Sequence, residues 1–110
     1  MNRDNILAVL KPLIHDLVSG NFELIEQSGR NGPYSSLELK ELIDEYGGQL
    51  TSPPEDDFIN INVIEIENEP EYAVEYELWI DNTKSDLTLS CTVRTETDKE
   101  TISIENIHVL

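Results

Sequence analysis

Between Tyr72 and Ile80 apolar side chains recur at every second position, as Tyr72, Val74, Tyr76, Leu78 and Ile80. This is the period of a strand with one buried face, and it leaves Glu75, Glu77 and Trp79 on the other. The same period returns in Leu87, Leu89, Cys91 and Val93, with Thr88, Ser90, Thr92 and Arg94 outward. A turn at Asp81-Asn82-Thr83-Lys84 would pair Leu78 with Leu87 and Tyr76 with Leu89, placing both apolar sets on one side. A second turn, Glu96-Thr97-Asp98-Lys99, sets Val93 opposite Ile102 and Cys91 opposite Ile104. Beyond Ile104 the parity slips to Ile107 and Val109, which predicts a one-residue bulge near Glu105-Asn106.

The N-terminal half carries the other period. Ile6, Leu7, Leu10, Leu13, Ile14, Leu17 and Val18 follow the i, i+3, i+4, i+7 rule of an amphipathic helix ending at Gly20. Pro12 either kinks it or leaves its first turn loose, with the firm part starting near Lys11. Asn21 is placed to cap a short second helix holding Phe22, Leu24 and Ile25. Ser35 with Glu38 reads as a capping box, opening a third helix whose buried stripe is Leu39, Leu42, Ile43 and Tyr46. Gly47-Gly48 closes it, and the segment from Thr51 to Asp57, with Pro53-Pro54, reads as a connector. A strand is predicted from Phe58 to about Glu67, with a bulge near Val63-Ile64 where the apolar parity changes. Asn68-Glu69-Pro70-Glu71 then turns the chain. The predicted fold class is α+β, two to three N-terminal helices packed on one face of a four-stranded antiparallel curved meander, in a single domain 1–110.

This order of elements resembles the cystatin-like and nuclear-transport-factor-2-like (NTF2-like) folds. The stretches Leu17-Val18-Ser19-Gly20-Asn21-Phe22, Glu45-Tyr46-Gly47-Gly48 and Asp86-Leu87-Thr88-Leu89-Ser90, with the ending Ile107-His108-Val109-Leu110, resemble a family of small bacterial proteins of unassigned function. That resemblance implies no catalytic residue.

Charge changes the picture more than length does. The chain has 110 residues and a net charge of −16, which argues against nucleic acid and anionic membranes as partners, since both need clustered Lys and Arg. No apolar run approaches a membrane span and no signal-peptide core is present, so a cytoplasmic location is expected. The lone Cys91 reads as a buried hydrophobe. His15 and His108 read as surface or boundary residues, and Arg30 as the partner of an acidic side chain or of a small anion. Asp81 to Asp86 superficially resembles a calcium loop. It lacks the glycine at its sixth position, and Thr92 stands where the bidentate Glu should be. Glu55 and Asp56-Asp57 offer paired carboxylates, but in a Pro-rich loop they read as solvated. No cofactor and no metal is implied.

Two functions remain. The window Glu41 to Thr83 holds 13 Asp or Glu and no Lys or Arg. Glu65, Glu67, Glu75, Glu77 and Trp79 are expected on one outward face, which is either a solvated acidic face whose Trp packs on its neighbours or a surface for a basic protein with Trp79 as anchor. Such a surface predicts a non-enzymatic interaction module, monomer or homodimer, whose sharpest form is an immunity-type binder of a basic toxin. The alternative is a small-ligand or enzymatic pocket between helices and sheet, walled by Tyr72, Tyr76, Tyr46 and Phe22.

Overall fold

The computed structural model describes residues 3–67, 69–96 and 98–109. Asn68 and Thr97, each within an expected turn, and the terminal Leu110 lie outside them. Three helices come first: α1 Arg3–Val18, α2 Phe22–Gln27 and α3 Ser36–Tyr46. The two-residue strand β1, Leu50–Thr51, is followed by a 3-10 helix over Glu55–Asn60 and by β2, Asn62–Glu65. The long strands β3 Glu71–Ile80, β4 Thr83–Glu96 and β5 Lys99–Val109 complete an antiparallel sheet. The α+β class and the helices-then-curved-sheet order are therefore as the sequence predicts. The sheet has five strands rather than four, because β1 and β2 pair with different ends of the same edge of β3.

Helix α1 runs through Pro12, which needs no amide partner and holds a helical φ. Its Ile6, Leu10, Leu13, Ile14 and Leu17 are buried against the sheet side chains Val74, Tyr76, Leu78, Leu89, Cys91, Val93, Ile102 and Ile104. Each fully buried aliphatic side chain stabilises the fold by roughly 1.5–3 kcal/mol. Ser35 and Glu38 form the complete capping box, with the Ser35 Oγ accepting from the Glu38 amide at 3.1 Å. Ser35→Ala should lower stability by about 1 kcal/mol, read as a lower urea midpoint, and an unchanged midpoint would deny the box any role. Asn21, by contrast, makes no side-chain cap; its amide donates to Asp16 Oδ1 instead.

Three expectations need correction. Phe58 to Asn60 are 3-10 helix, not strand, and β2 pairs Asn62 to Glu65 with Glu75 to Tyr72 in unbroken register, without a bulge at Val63-Ile64. The reason is visible in burial. Phe58 and Ile61 both enter the core, three residues apart, while Ile59 between them is 76% exposed. That spacing suits a 3-10 turn and defeats a strand. The hairpin after β3 is tighter than expected. Ile80 pairs with Thr83 around Asp81 and Asn82, whose φ values of 51° and 62° make the mirror-image turn that matches strand twist. Two surplus residues are absorbed between Glu77/Thr88 and Trp79/Lys84, where Ser85 Oγ donates to the Leu78 carbonyl at 2.6 Å and accepts from the Leu87 amide. Leu78 thus does not sit opposite Leu87, although both are buried. Tyr46, third, is 36% exposed and donates to Asp86 Oδ1 rather than joining the core.

The last hairpin pairs as expected, with Val93 opposite Ile102 and Cys91 opposite Ile104. The register then shifts so that Ser90 meets Asn106, which leaves Glu105 as the extra residue of a bulge. The loop before α3 reaches the outer edge of β5, where the Arg30 carbonyl accepts from the Ile104 amide at 2.8 Å. Tyr34 Oη donates to Asn106 Oδ1 nearby. The middle of the strand edge is thereby occupied.

Candidate functional site

Register decides which acids share a face. Glu75, Glu77 and Trp79 alternate with the buried Val74, Tyr76, Leu78 and Ile80, so they lie on the face of β3 turned from the helices. Glu75 stands between Asn62 and Ser90, and Glu77 opposite Thr88. No carboxylate faces another across these pairs, and Ser90 Oγ donates to Glu75 Oε2 at 3.3 Å. Glu65 is brought elsewhere. It pairs with Tyr72 and so carries the parity of the core-facing residues. Glu67 lies past the end of β2, exposed in the turn. The expected five-residue patch is therefore three residues on one face, with the other two at the sheet's end.

Trp79 is half-buried, and its partner was not foreseen. Between the stretches of β3 that β1 and β2 cover, the 3-10 helix brings Asp57 against the sheet edge. Asp57 Oδ2 accepts from Trp79 Nε1 at 3.0 Å, from Lys84 Nζ at 2.8 Å and from the Tyr76 hydroxyl. Its Oδ1 accepts from Asn60 Nδ2 at 2.9 Å. Phe58 stacks on Tyr76 with ring centroids 5.4 Å apart, and Lys84 Nζ lies 4.7 Å from the Tyr76 centroid. Burial alone would raise the Asp57 carboxyl, but the bonds from Lys84, Tyr76, Trp79 and Asn60 outweigh it and hold it well below the usual range. Burial pushes the Tyr76 phenol up, and its bond to the Asp57 carboxylate pushes it further. Burial likewise raises the Cys91 thiol. These shifts run away from those of a general base or a nucleophile, which need a poised carboxylate or an accessible anion. What the arrangement does is lock a charge and an indole in place.

Elsewhere, too, acids are held by cations of the same chain. Asp16, buried near the end of α1, accepts from Arg30 at 2.7 Å, as expected for that cation, and from Asn21. Burial works against its ionised form, and the Arg30 guanidinium and Asn21 overcome it to lower the carboxyl. Lys11 pairs with Glu55, Lys40 with Asp44, Lys84 with Asp57, and Arg94 with Glu71 and Glu96. The aromatics expected to wall a pocket do not converge. Tyr76 is core, Tyr46 is at the surface, Tyr72 is half-buried and Phe22 lines a separate cleft between α2 and α3. Among the described residues no three His, Cys, Asp or Glu side chains come together as metal ligands. No described helix is long and apolar enough to cross a membrane.

Sequence reasoning missed Asp57 as the centre of this network. The only sequence signal was an acid just ahead of an aromatic, which does not say which cation approaches it. No curated protein and no solved structure matches the chain, so the cystatin-like and NTF2-like resemblance gains no support. A family model for a domain of unknown function, DUF7668, matches residues 14–110, and the chain therefore belongs to the DUF7668 family.

Proposed function

We propose that this protein is a non-enzymatic interaction module that binds a basic protein through the outer sheet face around Glu75, Glu77 and Trp79. Glu65 and Glu67 supply further charge from the sheet's end. One observation carries the reading: among the described residues, five of the seven Lys and Arg side chains are held in ion pairs within the molecule. Glu65, Glu67 and Glu77 are exposed and have no ion-pair partner among the described residues. A surface of one sign steers an oppositely charged partner and speeds its encounter. An immunity-type binder of a basic toxin is the form that fits a small acidic chain of this kind.

Tagged protein captured from its own cells at low salt should bring down a basic protein that is lost as salt shortens the range of the field. With that partner in hand, Glu75→Lys with Glu77→Lys should weaken binding by at least about tenfold, while Glu65→Lys on the other parity has a much smaller effect. Unchanged affinity in the double reversal would rule out this surface.

A further inference from the structure

We infer that the cleft between α2 and α3 is a docking groove for an amphipathic basic helix of a partner protein. The cleft, of about 680 Å³, is lined by Phe22 and Leu24 from α2 and by Leu37 and Lys40 from α3. Leu24 is 48% exposed and Leu37 62% exposed. Other exposed large aliphatics, Ile59, Ile64 and Val109, sit apart on the 3-10 helix, β2 and β5. Two leucines offered to solvent in one hollow are the kind of exposure that marks a binding surface.

The helices explain why the two leucines stay outside the core. In α2 the buried residue is Ile25, and Leu24 is rotated about 100° from it. In α3 Leu39 and Ile43 are buried, and Leu37 falls on the opposite side with Lys40, Glu41 and Asp44 at i+3, i+4 and i+7. Lys40, the one cation among the described residues lining the cleft, is bound to Asp44 at 2.5 Å. Glu23, which lines the cleft, and Glu41 have no ion-pair partner among the described residues. Glu23 and Lys40 balance within the lining, and Glu41 and Asp44 on the same side of α3 add two carboxylates beside it. An apolar floor with acidic surroundings complements a helix whose apolar anchors at i and i+3 or i+4 are flanked by Lys or Arg. On the sheet face the Trp79 indole already donates to Asp57, whereas Leu24 and Leu37 are exposed.

This groove rests on the reading that the partner is basic, and the test separates the two. The probes are a helical Leu/Lys peptide and a Ser/Lys peptide of equal charge, titrated at about 0.15 M salt, where long-range attraction is screened. The Leu/Lys peptide should bind about tenfold more tightly or better, with the largest NMR shifts on the Leu24 and Leu37 methyls. Leu24→Ser with Leu37→Ser should remove that advantage without moving the melting temperature, because both side chains are at the surface. Equal binding of the two peptides, or an advantage that survives the double serine variant, overturns the groove. Equal binding that Glu75→Lys with Glu77→Lys abolishes would do so while leaving the basic-partner reading intact. Binding in the groove that ignores the Glu75/Glu77 reversal supports the groove, because those residues lie on the sheet face turned from the helices.

Discussion

Asp57→Ala is expected to destabilise the fold by about 3–5 kcal/mol. It would strand a cation, a phenol and an indole donor at once, those of Lys84, Tyr76 and Trp79. Lys84 keeps 30% of its side chain exposed, so water can resolvate the ammonium and the lower end of that range applies. Asp56→Ala next to it, at an exposed position, should stay within about 0.5 kcal/mol. Trp79 is the only tryptophan, so its emission should report the loss of its acceptor before global unfolding. Equal midpoints in urea for the two alanine variants would show the network to be incidental. The pH dependence follows from the same bonds. The folded carboxyl is held below its unfolded value near 3.8, so its contribution is complete above about pH 5 and fades as pH falls below about 4. Asp57→Asn should therefore differ most from the parent at neutral pH, and the gap should narrow on acidification.

Gly32→Ala should be nearly as damaging, for a reason confined to backbone. Gly32 has φ of +59°, and a Cβ there would stand 1.8 Å from the Ile104 carbonyl oxygen on the edge of β5. Relieving that clash requires the loop to leave the strand, breaking the Ile104 to Arg30 backbone bond. Left-handed strain and lost contacts together should cost about 3 kcal/mol. Gly29 provides the comparison: its φ of +76° is similar, but a Cβ at that position would meet nothing within 4 Å. Gly29→Ala should cost only about 1 kcal/mol. If urea midpoints show the two variants equally destabilised, the close approach of loop and strand has no energetic weight.

Most of the sheet was legible because alternation with one buried face leaves little freedom of register. Tyr76 opposite Leu89, Val93 opposite Ile102 and the extra residue at Glu105 all follow from apolar parity. The first helix and the Ser35–Glu38 box were legible for the same kind of reason, since their signals lie within a few residues of each other. The run from Phe58 to Ile66 was not. Its β-branched residues suit a strand locally, yet Phe58 and Ile61 reach the core only by tightening into a 3-10 turn. That choice also set the start of β2 and, with it, the face on which Glu65 lies. The fate of Asp57 is the clearest case. Its neighbours in sequence describe a solvated acidic loop, whereas Tyr76, Trp79 and Lys84 arrive from 19 to 27 residues away. Local pattern governs pairing and caps because those forces act over a few residues. The burial of a charge depends on which distant donors the packed chain delivers to it.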